Sequence, residues 1–121
     1  MPIIDAHTHV FPQYADLAAR AMDRAGVAQC VTLAWHDGFG EGLRAQAAAF
    51  SRYPGRFILF GNVDFSRINE PDFAARTAEG MARNVDAGLR GLKVYKALGL
   101  EYRHPDGAFW RVDDEQIGRA H

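Results

Sequence analysis

The segment Ile3-Ile4-Asp5-Ala6-His7-Thr8-His9-Val10-Phe11-Pro12 sets the pattern for the whole chain. Its residues 3–10 are rich in apolar side chains and end at an aromatic-proline pair, as a short β-strand does. Because side chains two residues apart share one face of a strand, Asp5, His7 and His9 are expected to point the same way. The chain is therefore predicted to open with a strand that carries two aligned imidazoles.

Strand and helix patterns alternate after this segment. Apolar runs predict further strands at residues 27–33, 57–63 and 89–95, and helical stripes separate them. Units of about thirty residues in this order predict a parallel α/β sheet. The Gly-rich loop that follows the first strand of a doubly wound sheet is replaced here by His-Thr-His, which favours a barrel. The predicted inward-facing residues are Tyr14, Leu17, Ala18, Ala21, Met22 and Ala25 in the first helix, Leu43, Ala47 and Phe50 in the second, and Ala74, Thr77, Ala78, Met81, Ala82 and Val85 in the third.

The length of the chain limits how much of a barrel it can form. Its 121 residues are about half of the roughly 250 that a closed (β/α)8 barrel needs. We therefore expect the N-terminal half of a TIM-type barrel, truncated after the fourth strand, with open edges that favour self-association. Residues 112–115 resemble a helix start, whereas a common sequencing adapter can encode residues 117–121. Residues 1–115 are assigned to one barrel domain and residues 116–121 to a non-native tail.

Composition and charge narrow the class of partner. Hydrophobic residues make up 48% of the chain and charged residues 24%, as in ordinary globular domains. A formal net charge of -1 favours neither nucleic acid nor an anionic membrane, so we expect a small-molecule substrate. The single Cys30 excludes an intramolecular disulfide, and the sequence contains neither a signal peptide nor a membrane-spanning apolar run. The protein is predicted to be cytoplasmic.

His7 and His9 are the candidate metal ligands. Imidazole nitrogen is a preferred ligand of Zn²⁺, and two rings on one strand face can bind one ion. An isolated His-x-His more often lines a solvated strand face. We prefer the metal site because strands of parallel sheets are expected to be covered on both faces, and barrel active sites lie at the carboxyl ends of strands. Asp5 is expected to orient a ligand or the strand end.

The same segment resembles the opening strand of the amidohydrolase superfamily, especially its amidohydrolase-related branch. The resemblance extends over most of residues 2–115 and includes Gly91-Leu92-Lys93-Val94-Tyr95-Lys96, where the fourth strand of that family often carries Gly-x-Lys. It implies a (β/α)8 barrel with one or two divalent ions, most simply Zn²⁺, with Mn²⁺ or Fe²⁺ as alternatives. His7 and His9 would be joined by histidines of the fifth and sixth strands and an aspartate of the eighth, none of which this chain contains.

Two further residues are candidate catalytic groups. Lys93 matches the strand on which some members of the superfamily carry a carbamylated lysine that bridges two metals. The alternative is that Lys93 makes a buried ion pair and Lys96 is a surface charge. His36 follows the second strand and is expected either at the mouth of the barrel or in a loop without a catalytic role. Other candidates for the mouth are Trp35, Asp37, Asn62 and Asp64, whereas His104 is expected in a surface turn.

These observations predict a metal-dependent hydrolase that cleaves C–N or C–O bonds of a small molecule with metal-activated water. Two alternatives stay open. Non-oxidative decarboxylases of the same branch share the His-x-His strand, and the chain on its own can be an inactive metal-binding fragment. The parent enzyme can also be a homo-oligomer.

Overall fold

The computed structural model describes residues 1–35 and 37–118. Four strands, β1 (Ile3–Thr8), β2 (Val27–Leu33), β3 (Phe57–Gly61) and β4 (Gly91–Leu92), form one curled parallel sheet in the order β1-β2-β3-β4. The helices between them are α1 (Ala15–Ala25), α2 (Gly40–Ser51) and α3 (Phe73–Asp86), and a short α4 (Glu115–Gly118) follows. Short 3-10 turns occupy Pro12–Tyr14 and Phe65–Arg67. The predicted parallel α/β architecture is confirmed.

The two faces of the sheet differ in what covers them. Leu59 of β3 packs with Leu43 and Phe50 of α2 in a buried cluster, so this side is the helix side of the sheet. Ile58 and Phe60 alternate with Leu59 and therefore project to the opposite side, which we call the open face. Neither Ile58 nor Phe60 belongs to a buried cluster of the described residues, and both are half-buried.

A second buried cluster lies beyond the carboxyl end of β3 and joins the segment after β4 to α3. Ile117 of α4 is 1% exposed within this cluster, and the Gln116 side chain donates to the carbonyls of Ile68 and Glu70. The first residues of the predicted tail are thus packed against the domain, while residues 119–121 lie outside the described residues. The cluster consists of Val63, Phe65, Ile68, Phe73, Leu98, Trp110 and Ile117.

The first strand is more exposed than we predicted. β1 has only β2 as a neighbour, and Ile3 and Ile4 are 56% and 50% exposed although they project to opposite sides. The expectation that both faces of this strand are covered is wrong for this chain, because β1 is an edge strand. On both sides of β1, apolar side chains are exposed because no other described residue packs over them.

The predicted inward faces of α1 and α3 are partly wrong. Small side chains, Ala15 and Ala19, let α1 lie close to the sheet, whereas Leu17 is 52% exposed. In α3 the buried residues are Phe73 and Asn84, and Val85 is 50% exposed. Both helices are therefore rotated from the orientation that the most apolar stripe predicts. None of the helices within residues 1–35 and 37–118 combines the length and the apolar composition of a membrane span.

Leu43 provides a test of this packing. It is fully buried between α2 and the sheet, whereas Leu17 on α1 is 52% exposed. Leu43→Ala is expected to lower the free energy of unfolding by about 2–5 kcal/mol through lost burial and a residual cavity. Leu17→Ala is expected to change it by less than about 0.5 kcal/mol. Urea unfolding followed by circular dichroism measures both, and equal losses would contradict the assignment of the helix side.

Candidate metal centre

The sheet register places His7 and His9 on the open face. Thr8 pairs with Thr32 of β2, and Thr32 pairs with Leu59, which lies on the helix side. The neighbours of Thr8 in the chain therefore project to the other side. Both imidazoles lie at the carboxyl end of β1, as predicted, and both residues are exposed in the described chain.

The two rings converge on one point. The Nε2 atoms of His7 and His9 are 3.3 Å apart, and the ring planes are inclined by 74°. Two imidazole nitrogens that bind one tetrahedral Zn²⁺ at about 2.0–2.1 Å are separated by about 3.3–3.4 Å. The separation of the two nitrogens thus equals the separation that a shared ion requires.

A backbone carbonyl fixes the tautomer of His9. The Nδ1 atom of His9 lies 2.8 Å from the carbonyl oxygen of Leu33, and because that oxygen can only accept, Nδ1 carries the proton and donates it. In the neutral ring Nε2 is then unprotonated and turns its lone pair toward His7. Metal-binding histidines are commonly held in this way, with the second ring nitrogen bonded to a carbonyl or carboxylate.

The indole of Trp35 packs against the same imidazole. The ring centroids of His9 and Trp35 are 4.9 Å apart at 78°, an edge-to-face contact. Trp35 follows β2 directly, as the sequence suggested for a residue at this end of the sheet. The His9 ring is therefore positioned by two contacts from one neighbouring segment, the Leu33 carbonyl and the Trp35 side chain.

Asp5 does not lie beside the imidazoles as the alternation predicted. The register of β1 against β2 shifts between Asp5 and Thr8, and Asp5 pairs with the buried Cys30. Burial raises the pKa of the Cys30 thiol, and the negative charge of Asp5 raises this pKa further. The Asp5 carboxylate accepts a hydrogen bond of 3.0 Å from the backbone N–H of His7. Asp5 thus acts on the strand backbone and not on an imidazole ring.

The same geometry also fits a direct hydrogen bond between the two imidazoles without a metal ion. At 3.3 Å, an Nε2–H of His7 can donate directly to the bare Nε2 of His9, so the pair needs no ion to be stable. Within residues 1–35 and 37–118 no group of three His, Cys, Asp or Glu side chains could hold a metal ion. His36, the nearest further histidine in the sequence, lies outside the described residues. Among the described residues, His7 and His9 are thus the two candidate ligands that the structure brings together.

Lys93 directly follows β4 and extends the backbone pairing of β4 with β3. Its backbone N–H donates to the Gly61 carbonyl at 2.8 Å, and its side chain is half-buried. In the described part of the chain the ammonium has no ion-pair partner, so the buried ion pair considered from the sequence is not formed there. Lys96 is exposed, as expected of a surface charge. β1 and β4 lie at opposite edges of the sheet, so the structure does not bring Lys93 to the two imidazoles.

Asn62 is a structural link and not a free residue of the mouth. It is 1% exposed, and its amide donates to the carbonyls of Ala34 and Trp35, with a separation of 3.2 Å to Ala34. Both donors of the amide are thereby used, while the buried Oδ1 has no hydrogen-bond partner among the described residues. The end of β3 is thus tied to the loop that carries Trp35.

The remaining candidates have local roles. The Asp64 carboxylate caps the 3-10 turn at Ser66, and Asp37 is exposed beside the His9 pocket. His104 stacks on Trp110 with centroids 3.5 Å apart, and its Nε2 lies 3.1 Å from the Asp114 carboxylate. His104 opens the predicted turn, because its carbonyl accepts the backbone N–H of Gly107 at 2.9 Å, but its side chain is half-buried and not on the surface.

Gln46 is a residue of this region that the sequence analysis missed. It lies on the inner face of α2 between Leu43 and Phe50, is 4% exposed, and lines the small pocket beside His9 and Asp37. Its amide makes no hydrogen bond to another described residue. The available signal was a single polar residue at helical spacing within an apolar stripe.

The tautomers of two histidines test the geometry. Long-range proton–nitrogen NMR correlation spectra of the metal-free protein, recorded where the imidazoles are neutral, are expected to show the proton of His9 on Nδ1. His104 provides the control, because its Nε2 faces a carboxylate and is expected to carry the proton. A proton on Nε2 of His9 would contradict the hydrogen bond to Leu33.

No family model matches the sequence, and no curated protein is significantly similar to it.

Proposed function

We propose that this chain is the N-terminal half of a (β/α)8-barrel, metal-dependent hydrolase similar to the amidohydrolase superfamily and its amidohydrolase-related branch. The observation that carries the proposal is the convergence of the His7 and His9 Nε2 atoms at 3.3 Å, with the His9 tautomer set by the Leu33 carbonyl. The same separation fits a hydrogen bond between the two rings, so the stronger support comes from the tautomer of His9, which leaves an Nε2 lone pair directed at the shared point, as in metal-binding histidines.

The form of the sheet supports the half-barrel. Its four strands are parallel and in sequential order, so β1 and β4 are both free to pair with further parallel strands. The open face carries Ile58 and Phe60, and the Phe60 ring lies where a Cβ at Gly91 would be only 2.4 Å from its carbons. In a closed barrel this apolar face becomes the packed interior.

The residues present fit a divalent ion, which we propose to be Zn²⁺, with Mn²⁺ or Fe²⁺ as alternatives. When bound, such an ion lowers the pKa of water toward about 7 and polarises a carbonyl, which suits hydrolysis of C–N or C–O bonds. His7 and His9 would hold the ion, the Leu33 carbonyl would keep the bare Nε2 of His9 directed at it, and Trp35 would limit rotation of that ring.

Lys93 is proposed as a further ligand or substrate-binding residue in the complete barrel. The half-buried, unpaired position of its side chain in the described chain supports this role, since a lysine without a partner is seldom retained in a covered position. His36 is proposed for the mouth on its place in the sequence alone. The substrate is proposed to be a small molecule, and the parent enzyme to act in the cytoplasm, where the buried thiol of Cys30 stays reduced.

Metal binding by the chain itself tests the ligand assignment. Titration with Zn²⁺ or Co²⁺ is expected to show one site per chain, and His7→Ala or His9→Ala should each weaken it by at least about tenfold. His104→Ala is the matched control, because His104 lies with Trp110 and Asp114 in the second cluster. Equal affinity in the wild type and in both strand variants would refute the site.

Activity requires the complete gene recovered from the source DNA. The full-length enzyme is expected to release an amine or alcohol from small amide or ester substrates, and the double variant His7→Ala, His9→Ala should lose both metal and turnover. Release of carbon dioxide without hydrolysis would replace the hydrolase by the decarboxylase alternative. Full turnover in the metal-free double variant would refute metal-dependent catalysis in either form.

A further inference from the structure

A cleft separate from the two imidazoles lies between α2 and α3. Its volume is about 330 Å³, and it extends along both helices from the carboxyl end of β3. None of its lining residues lines the pocket beside His9. The volume lies at the lower end of the range of pockets that hold small molecules.

Two guanidinium groups without partners line this cleft. Arg44 of α2 and Arg83 of α3 are exposed, and neither forms an ion pair or hydrogen bond within the described part of the chain. Arg67 and Arg76 also line the cleft, but Glu70 binds both of them, at 2.6 and 2.5 Å. The Asp64 carboxylate also lines the cleft and accepts the backbone N–H of Ser66. Basic groups still outnumber this acidic one, and Arg44 and Arg83 are the arginines of the cleft without an acidic partner among the described residues.

A largely buried amide lies on the same wall. Asn84 is 8% exposed, and its side chain makes no hydrogen bond to another described residue. Its amide atoms are not fully buried, so they meet the solvent of the cleft and are available to hydrogen-bond a polar group of a ligand there. Thr77, about two turns earlier on α3, adds a hydroxyl to the same wall.

The remaining walls are apolar and suit the body of an organic ligand. Phe39, Phe73 and Met81 line the cleft beside the polar groups. At Gly80 an added Cβ would meet only Nη2 of Arg83, at 3.8 Å, so the absence of a side chain keeps space open beside that guanidinium.

We propose that this cleft binds a small organic molecule that carries a phosphate or carboxylate group. Arg44 and Arg83 bind its oxygens, since a guanidinium matches the geometry of both anions with two parallel hydrogen bonds. Asn84 and Thr77 bind neighbouring polar groups of the ligand. The site is independent of the proposed metal centre, because it shares none of the metal ligands and needs no metal.

Calorimetric titration of the 121-residue chain with pyrophosphate and with citrate tests the proposal. We expect saturable binding at one site per chain, and Arg44→Gln and Arg83→Gln should each raise the Kd by at least about tenfold. Tighter binding of pyrophosphate identifies a phosphate ligand, and tighter binding of citrate a carboxylate ligand. Absence of saturable binding for both anions would overturn the proposal.

Two variants separate a specific site from general charge. Arg24→Gln removes an exposed arginine of α1 that lies outside the cleft and should leave the Kd unchanged. Gly80→Leu fills the cleft without a change of charge and should abolish binding, while the midpoint of thermal unfolding stays the same or rises because leucine favours a helix over glycine. An equal loss of affinity in Arg24→Gln, or unchanged affinity in a folded Gly80→Leu, would also overturn the proposal.

Discussion

The parallel pairing of β1 with β2 determines the direction of the two candidate metal-binding side chains, His7 and His9. Thr8 pairs with Thr32, whose hydroxyl also accepts the backbone N–H of Val10, and Thr8 donates to the Val31 carbonyl. These bonds hold the end of β1 with Thr8 toward the helices. The imidazoles on either side of Thr8 have no other direction available than the open face.

The same pairing brings the Leu33 carbonyl to His9. That oxygen is at the end of β2, where no further strand residue competes for it, and the imidazole takes the place of a ladder donor. The orientation of a side chain at the proposed metal centre is thus a product of backbone structure. Substitutions on the helix side of the sheet should leave the orientation of the His9 imidazole unchanged, provided that the register of β1 against β2 is preserved.

The sequence predicted the order of strands and helices and the common face of His7 and His9, because each of these depends on local periodicity. The fourth strand is much shorter than predicted, Gly91–Leu92 in place of residues 89–95. The sequence did not predict that Asp5 lies away from the two imidazoles, because the register shift that causes this depends on the pairing of two strands and not on one strand alone. Asn84 and Gln46 were missed for a related reason. Their burial depends on which neighbouring helix faces them, and apolar stripes on α1 and α3 pointed to Leu17 and Val85, which are about half exposed.

Asn62 connects the cleft between α2 and α3 with the segment that packs against His9. Its amide is bonded to the Trp35 carbonyl, the Trp35 indole rests against His9, and Asn62 itself lines the cleft between α2 and α3. Contacts among three residues therefore run from the arginine-lined cleft to the imidazole pair. A ligand that displaced Asn62 in the cleft would also pull on the backbone of Trp35, the residue whose indole packs against His9.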